Sequence, residues 1–497
     1  MNISELFISA SKQYPTNLAI IESNTSITFE ELREEVVSTA SYFQDKGIER
    51  GDRVLVFVPM SIDLYRVVLA LFYVGATAVF LDEWVTKKRM EICCEIADCK
   101  GFIGVRKANI ISLFSKELRK IPVKLSLKKR GGSNLKMTQT NAEDSALITF
   151  TTGSTGTPKA ANRTHGFLKE QFDALIDEIE PSSTDIDMPV LPIVLFVNLG
   201  IGCTSVIAEV KMKKLHKLKT EKLINQIKAN NVSRITASPS LINKLSEFVL
   251  EKKIPLSSIQ KVFTGGGPVF PDEAGLYLKA FPNAKTKIVY GSTEAEPISS
   301  INAEELVSTL IDKGLAVGNI YHKTQLKIIP FEDNVISVKT DYELEKRELG
   351  SGKKGEIIVA GNHVLKSYFN NQKAFERNKI VTHETTWHRT GDSGFIQNGK
   401  LFLIGRCEQI IQQNGKTYSP FVIEHQLKQI EGITLGTVLS KNNQLNLVVE
   451  SNLSKEIIEK KLYNFDYENL TVLKKIPRDP RHNTKIDYGK LKEDILL

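Results

Sequence analysis

The order of apolar and amphipathic segments is the feature that most constrains the fold of this chain. Residues 54–58 predict a strand, residues 64–73 a helix that stops at Gly75, and residues 77–81 a second strand. A strand, a helix and a strand in this order form a parallel pair with a right-handed crossover. The alternation of helix and strand returns over residues 220–252. The chain is therefore predicted to be an α/β protein that contains parallel strands.

Size and cysteine usage indicate a globular protein of the cytoplasm. The chain has 497 residues, of which 41% are hydrophobic and 25% charged, which is typical of two or three globular domains. Its five cysteines have neither a C-x-x-C pair nor a zinc-site spacing, which indicates free thiols rather than a metal site or a catalytic cysteine. The first residues lack the pattern of a signal peptide, and the longest apolar run, residues 67–81, is too short to cross a bilayer. We expect a cytoplasmic location and no transmembrane segment.

The net charge of +8 comes from lysines that are scattered along the chain. Scattered lysines predict solvated faces, so we expect no nucleic-acid partner. Two locally basic stretches, residues 124–130 and 211–219, leave open an attraction to an acidic carrier or a lipid surface.

A small polar segment, residues 151–159 (TTGSTGTPK), follows a predicted strand at 146–150. Its glycines, hydroxyls and backbone N–H groups suit phosphate oxygens, and Lys159 adds a positive charge. Pro158 stands where a Walker A loop has glycine, so the segment is not a Walker A loop. The structural alternative is a polar turn after a strand.

Further groups along the chain suit a nucleotide. Three consecutive glycines, 265–267, end a predicted strand and would let a flat ring approach the main chain, although a tight turn into a helix is the alternative. Tyr290 offers a ring for stacking, Thr293 a hydroxyl for a phosphate, and Glu294 a hard oxygen for Mg²⁺. A surface charge is the alternative for Glu294, because a lone glutamate after a strand is usually solvated. Asp392 can accept hydrogen bonds from two ribose hydroxyls.

These segments, in this order and over nearly the whole chain, resemble the core motifs of the adenylate-forming superfamily. The superfamily includes acyl-CoA synthetases, fatty acyl-AMP ligases, luciferases and the adenylation domains of peptide synthetases. The resemblance is carried by residues 27–32 (ITFEEL), 71–82 (LFYVGATAVFLD), 151–159 (TTGSTGTPK), 261–268 (KVFTGGGP), 288–295 (IVYGSTEA), 387–394 (WHRTGDSG), 405–408 (GRCE), 415–424 (GKTYSPFVIE) and 477–487 (PRDPRHNTKID).

The resemblance implies two domains. A large N-terminal domain of mixed and parallel sheets with flanking helices is expected over residues 1–405. A small α+β C-terminal domain, residues 406–497, is expected to rotate about a hinge at Glu408. The chain departs from the superfamily pattern at four positions: Ala160 and Thr484, where glycine is usual, Glu408, where aspartate or lysine is usual, and Gln412, where many thioester-forming members carry lysine.

The resemblance also implies the roles of individual residues. The segment 151–159 is expected to hold the β and γ phosphates, while Lys485 enters from the small domain and neutralises charge between the carboxylate and the α-phosphate. The predicted catalytic residues are Lys485, Arg406 and Glu294, and Glu294 is also the predicted metal ligand. The predicted nucleotide-binding residues are Thr151, Thr152, Gly153, Ser154, Thr155, Gly156, Lys159, Gly265, Gly266, Gly267, Tyr290, Gly291, Thr293, Asp392 and Arg406.

The apolar run at residues 191–200 corresponds to the wall of the acyl pocket in the superfamily. Phe196 and Asn198 are the candidates for lining such a pocket. Plain hydrophobic core is the alternative interpretation of the same run.

The activity implied is ATP- and Mg²⁺-dependent activation of a carboxylic acid, with a fatty acid as the expected class. The product is acyl-AMP, which is then transferred to CoA or to the phosphopantetheine thiol of an acyl carrier protein. A competing resemblance links residues 187–189 with 195–196, residues 290–297 and residues 481–486 to olefin-pathway β-lactone synthetases, which cyclise a 3-hydroxy acid through its acyl-AMP. A non-catalytic nucleotide-binding regulator is a further alternative, and the presence of Glu294, Asp392, Arg406 and Lys485 argues against it.

Overall fold

The computed structural model describes residues 1–81, 87–108, 110, 115–128, 134–152, 158–210, 215, 218–413, 415–441, 444–478 and 486–496. Within these ranges the chain is a mixed α/β structure in which helices cover the sheets. The predicted fold class is therefore confirmed.

The first sheet has six strands, and the predicted parallel crossover lies at its centre. Strands β3, β4, β5, β6 and β7 pair in parallel, and β8 returns antiparallel to β7. The order across the sheet is β6-β5-β3-β4-β7-β8. The bounds are β3 Arg53–Phe57, β4 Thr77–Phe80, β5 Gly101–Gly104, β6 Val123–Leu125, β7 Ser145–Thr152 and β8 Pro158–Thr164.

The second sheet is larger and mixed. Its order is β16-β17-β19-β20-β15-β14-β13-β12-β11-β9-β10-β1-β2, with β18 beside β19. The run β1-β10-β9-β11-β12-β13 is parallel, and the other pairs are antiparallel. The bounds are β1 Leu18–Glu22, β2 Thr25–Thr28, β9 Ile186–Pro189, β10 Thr204–Ile207, β11 Arg234–Ala237, β12 Lys261–Gly265, β13 Lys285–Ser292, β14 Ala295–Asn302, β15 Leu315–Ile320, β16 Gln325–Ile329, β17 Gly355–Ala360, β18 Lys379–Val381, β19 Thr386–Gln397 and β20 Lys400–Arg406.

Helices flank both sheets and bury their apolar faces in the cores between them. Their bounds are α1 Ser4–Gln13, α2 Phe29–Asp45, α3 Ile62–Tyr73, α4 Lys87–Ala97, α5 Lys116–Lys120, α6 His165–Ile179, α7 Pro192–Ile201, α8 Thr220–Ala229, α9 Pro239–Glu251, α10 Pro271–Ala280, α11 Ala303–Ser308, α12 Asp341–Glu345, α13 Gln372–Asn378, α14 Pro420–Lys428, α15 Lys455–Lys461 and α16 Tyr488–Leu496. Among the described residues, no helix combines the length and the apolarity that a membrane crossing needs.

Local sequence signals explain several element boundaries. The Thr28 hydroxyl accepts the N–H of Glu31 while the Glu31 carboxylate accepts the N–H of Thr28, so the predicted capping box begins α2. Asn398 and Gly399 join β19 to β20 with φ of 52° and 75°, as a two-residue hairpin turn of this composition requires.

The segment 105–145 is more ordered than the sequence suggests. We predicted an irregular connector, but the segment contains α5 and β6, and β6 pairs in parallel with β5 at the edge of the first sheet. The local signal is weak because β6 has three residues. Its hydrogen bonds to the neighbouring strand hold it in place.

The C-terminal region forms separate small sheets and packs against the large domain through α14. Strands β21 Ile411–Gln413 and β22 Lys416–Tyr418 form a hairpin, while β23 Ile433–Lys441, β24 Gln444–Ser451 and β25 Asn469–Leu473 form a three-stranded sheet. The ring of His425 stacks on Phe270 at a centroid distance of 5.5 Å, and Lys428 Nζ lies 3.1 Å from Asp272 Oδ2. The large sheet extends through Arg406, one residue beyond the predicted domain boundary.

Candidate active site

Asp392 lies between Tyr290 and Arg406. The Tyr290 hydroxyl donates to Asp392 Oδ2 at 2.8 Å, and Arg406 Nη1 donates to Asp392 Oδ1 at 2.8 Å. The carboxylate raises the pKa of the Arg406 guanidinium, while burial, and then the carboxylate, raise the pKa of Tyr290. Two donors thus hold the carboxylate in one orientation as an acceptor.

A glycine beside Asp392 gives the arginine room. Gly391 has a φ of 68°, and a Cβ at this position would lie 3.2 Å from Arg406 Nη2. The register of the two strands places Asp392 directly opposite Arg406. The motifs at 387–394 and 405–408, which are separate in the sequence, therefore meet in one cluster.

Glu294 lies at the tip of the hairpin between β13 and β14. Ser292 pairs with Ala295, so Thr293 and Glu294 form the two-residue turn. Glu294 is only 7% exposed, which is unusual for a carboxylate at a turn. The Tyr368 hydroxyl donates to Glu294 Oε1 at 3.2 Å. Glu294 is therefore a buried carboxylate and not the surface charge that is usual for a glutamate at a turn.

Lys159 reaches the same tyrosine from the first sheet. It follows the 153–157 segment on β8, and its register partner on β7 is Thr151. Its Nζ donates to Asn378 Oδ1 at 2.9 Å and lies 5.8 Å from the centroid of the Tyr368 ring. Burial lowers the pKa of Lys159, and the nearby Glu294 opposes that shift. Predicted phosphate and metal ligands thus meet around Tyr368.

A second lysine, which the sequence analysis missed, joins this group. Lys379 is 3% exposed, its Nζ donates to the Leu365 carbonyl, and it lies 5.6 Å from the Tyr368 ring centroid. Burial lowers its pKa to about 7. We call Lys159, Glu294, Tyr368, Asn378 and Lys379 the Tyr368 cluster. Three of its members, Tyr368, Asn378 and Lys379, lie outside the motifs; a lysine that opens an apolar strand was the available signal for Lys379.

Backbone packing explains why glycine occupies several of the predicted nucleotide-binding positions. A Cβ on Gly265 would lie 2.5 Å from the carbonyl oxygen of Val289, and a Cβ on Gly291 would lie 2.9 Å from that of Ala295. Gly266 has a φ of 83°, which favours glycine. Close strand approach and a turn explain these positions, and adenine binding at Gly265, Gly266 and Gly267 stays a prediction.

The candidates for the acyl pocket lie on α7. The Phe196 ring lies 4.9 Å from Tyr65 and packs against the core. Asn198 is fully buried: its amide donates to Asp187 at 2.8 Å and to Ser205 at 2.9 Å, and its oxygen accepts from Arg234. The polar groups of Asn198 are engaged within the protein, and a pocket role for both residues stays a prediction.

Several predicted residues fall outside the described ranges or at their edge. Gly153, Ser154, Thr155, Gly156 and Lys485 lie outside them, and for Thr151 and Thr152 the backbone strand alone is described. Thr293 accepts a hydrogen bond from Arg163 at its carbonyl oxygen, at 3.2 Å. Glu408 is exposed on the short turn Cys407–Gln409 that follows the large sheet. Its role as a hinge stays a prediction.

The chemistry of the Tyr368 cluster fits Mg²⁺ together with phosphate. Mg²⁺ prefers one or two carboxylates and completes its shell with phosphate oxygens and water. Glu294 offers one buried carboxylate, and no group of three potential metal ligands exists among the described residues. A site of this kind suits a metal that arrives with a phosphate ligand.

The comparison with protein families decides the identity. A family model of AMP-binding enzymes matches residues 7–369, well over half of the chain. The chain belongs to this family. An olefin β-lactone synthetase of Stenotrophomonas maltophilia (strain K279a) is 28% identical over 394 residues, which cover 74% of this chain and 70% of that protein. The 4-coumarate–CoA ligase 1 of Petroselinum crispum is 24% identical over 435 residues, or 82% of this chain and 75% of that protein.

A solved structure shows the same fold. The O-succinylbenzoate coenzyme A synthetase (MenE) of Bacillus subtilis, in complex with ATP and a magnesium ion, superposes with a TM-score of 0.80 at 19% identity, over 98% of this chain and 99% of that one. The fold is that of the adenylate-forming enzymes, with a small C-terminal domain. Family and fold together make this chain an AMP-forming ligase.

Proposed function

We propose that this AMP-binding enzyme activates a carboxylic acid, of the fatty acid class, as its acyl-AMP. A carboxylate oxygen attacks the α-phosphorus of ATP, the bond from that phosphorus to the leaving pyrophosphate breaks, and acyl-AMP forms. The observation that carries the proposal is the presence of two clusters in one chain: Asp392 with Tyr290 and Arg406, and the Tyr368 cluster with Glu294 and Lys159. The first suits a nucleoside, and the second suits a metal–polyphosphate.

Asp392 is the acceptor for the ribose. A carboxylate has about four lone-pair sites, of which Tyr290 and Arg406 take two. Its side chain is 17% exposed, so an open side remains for hydroxyl donors. Because Arg406 and Tyr290 fix the carboxylate before the nucleotide arrives, binding needs little reorganisation.

Glu294 and Lys159 serve the phosphates. Bound Mg²⁺ would withdraw negative charge from the phosphate oxygens as pyrophosphate leaves. Tyr368 orients the Glu294 carboxylate by donating to Oε1, and Asn378 orients the Lys159 ammonium by accepting from it. In a buried site such oriented charges stabilise the transition state more strongly than they would in water.

Lys485 is proposed as the group that neutralises charge between the carboxylate and the α-phosphate. The support is its position in the segment 477–487, which resembles the superfamily motif that carries this lysine. It resides in the C-terminal region, which packs on the large domain through α14.

For the second step we propose transfer of the acyl group to the thiol of CoA or of a carrier phosphopantetheine. The 4-coumarate–CoA ligases among the relatives support this step. Cyclisation is the second candidate, supported by the 28% identity to an olefin β-lactone synthetase. In that reaction the 3-hydroxyl oxygen of the substrate attacks the acyl carbon, AMP leaves, and the hydroxyl proton passes to solvent.

Carboxylate-dependent exchange between ATP and labelled pyrophosphate tests the first step. A panel of fatty acids and 3-hydroxy fatty acids should contain members that support exchange in the presence of Mg²⁺. ATP binding without exchange across the panel would favour the regulator alternative instead.

Product analysis with and without CoA distinguishes transfer of the acyl group to a thiol from cyclisation. A thioester enzyme must rotate its small domain, so Glu408→Pro should spare adenylation and impair transfer, because proline fixes φ at the proposed hinge. A 3-hydroxy acid that gives lactone and AMP without CoA, equally well in the Glu408→Pro variant, would establish cyclisation instead.

A further inference from the structure

Lys379 is a buried lysine whose position the known chemistry of the chain does not explain. It begins β18, next to the fully buried Ile380, and pairs across the ladder with His388. Its Nζ donates to the Leu365 carbonyl. Among the residues that the structure describes, it forms no ion pair with a carboxylate. A buried charge without a partner is costly, and the sequence nevertheless places a lysine here.

The surroundings of Lys379 carry excess positive charge. Lys159 and Lys379 lie 5.8 and 5.6 Å from the centroid of the same Tyr368 ring. Glu294 is the carboxylate that acts on both ammonium groups. His388 pairs with Lys379 from β19, and burial together with the two lysines lowers the pKa of its imidazole, so the ring is neutral and offers Lys379 no counter-charge. When Lys379 is protonated, two ammonium groups share one carboxylate here, and a bound anion would favour that protonated state.

The position of the Tyr368 cluster identifies the anion. Glu294 is four residues beyond Tyr290 on the β13 hairpin, and His388 is four residues before Asp392 on β19. Lys379 lies against the Tyr368 ring together with Lys159, the lysine that follows the 153–157 segment and is proposed to hold the terminal phosphates.

We propose that Lys379 supplies the second positive charge of the subsite that receives the terminal phosphates of ATP and the departing pyrophosphate, with Lys159 supplying the first. The inference rests on the proposed function, because it assigns the far end of the nucleotide to this cluster. AMP lacks these phosphates, so the charge of Lys379 acts on ATP and pyrophosphate and not on AMP.

Binding calorimetry with the full chain tests the assignment. Lys379→Met keeps an unbranched side chain, one atom shorter than lysine, and removes the charge. A hydrogen bond to a charged group contributes about 1.5–3 kcal/mol to binding. We therefore expect the variant to bind Mg·ATP and Mg·pyrophosphate about 10- to 100-fold more weakly than the wild type does. Its affinity for AMP should stay within about twofold of the wild-type value. The wild type should also take up more protons than the variant on binding Mg·ATP at pH 8, measured in two buffers of different ionisation enthalpy.

Lys327→Met is the matched control. Lys327 also lies over an aromatic ring, 5.6 Å from the centroid of Trp387, but it has its own carboxylate partner in Glu348. Its loss should leave the ratio of ATP to AMP affinity unchanged. Lys379→Gln is the second variant at the site, since its amide can still donate to the Leu365 carbonyl.

An unchanged ratio of ATP affinity to AMP affinity in both Lys379 variants would overturn the inference. Affinities for ATP and AMP that fall by the same factor would also overturn it, because they would indicate a structural role for Lys379. Failure of the proposed function gives a different result. In that case the wild type binds ATP without carboxylate-dependent exchange, and the affinity ratio still reports on Lys379.

Discussion

The cost of burying Lys379 should appear as a pH-dependent gain in stability when the charge is removed. The ordinary pKa of lysine is 10.5, and burial lowers that of Lys379 to about 7. Between these values the unfolded chain holds the proton and the folded chain does not, so the free energy of unfolding rises with pH. Below pH 7 both states are protonated and the wild type bears the full cost. Lys379→Met removes it, so the advantage of the variant should be largest below pH 7 and fall as the pH rises towards 10.5.

The magnitude follows from the two pKa values. One pKa unit corresponds to about 1.4 kcal/mol, so the stability difference between the variant and the wild type should fall by about 2 to 3 kcal/mol between pH 6 and pH 9. The change in packing and the lost hydrogen bond to Leu365 do not depend on pH over this range. They shift the whole curve and leave its slope unchanged.

Urea unfolding at pH 6, 7, 8 and 9 measures this slope. Trp387 is buried beside His388 and is one of two tryptophans, so its fluorescence in a Trp84→Phe background reports on this part of the sheet. Lys327→Met, which removes a lysine that is already paired, should give a curve parallel to that of the wild type. Parallel curves for Lys379→Met as well would refute the reasoning, because they would mean that Lys379 is not desolvated in the folded protein.

Three further perturbations test other parts of the site. Glu294→Gln keeps the shape of the side chain and removes the proposed metal ligand, so ATP–pyrophosphate exchange should fall about 100-fold with AMP affinity retained; exchange that keeps its normal dependence on Mg²⁺ would exclude Glu294 as the ligand. Lys485→Ala should lower exchange by several orders of magnitude and leave the dissociation constant of ATP nearly unchanged, since its contact belongs to the transition state; near-normal exchange would remove it from the mechanism. Lys428→Glu reverses the charge that faces Asp272 and Glu273 and should loosen the docking of α14, seen as faster proteolysis after Arg406, with Asp272→Lys restoring protection in the double variant; equal proteolysis rates would show that the ring contacts of Phe270 dominate.

Much of the fold follows from local signals in the sequence. The capping box at Thr28, the turn at Asn398 and Gly399, and the stop at Gly75 act through neighbouring residues, so composition and spacing are sufficient to predict them. Strand β6 has no comparable signal. It depends on hydrogen bonds to β5, a partner about twenty residues earlier in the chain.

The candidate site shows the same division. The resemblance to known motifs predicted Asp392, Tyr290 and Arg406 as separate nucleotide ligands, and the structure adds that they contact one another. Tyr368, Asn378 and Lys379 were missed because their role depends on tertiary contacts around Glu294 and Lys159, which come from two different sheets. Asn198 shows the converse: its contacts with Asp187 and Arg234 arise only when α7 packs on β9 and β11.

In the proposed reaction a carboxylate oxygen of the substrate forms a bond to the α-phosphorus of ATP. Incubating the enzyme with ATP, Mg²⁺ and an acid labelled with ¹⁸O at both carboxyl oxygens tests it directly by mass spectrometry of the AMP. We expect one ¹⁸O atom in each AMP formed, because a thiol, a hydroxyl or water attacks the acyl carbon and leaves the new phosphorus–oxygen bond intact. AMP without the label, or label in pyrophosphate or phosphate, would contradict this reaction.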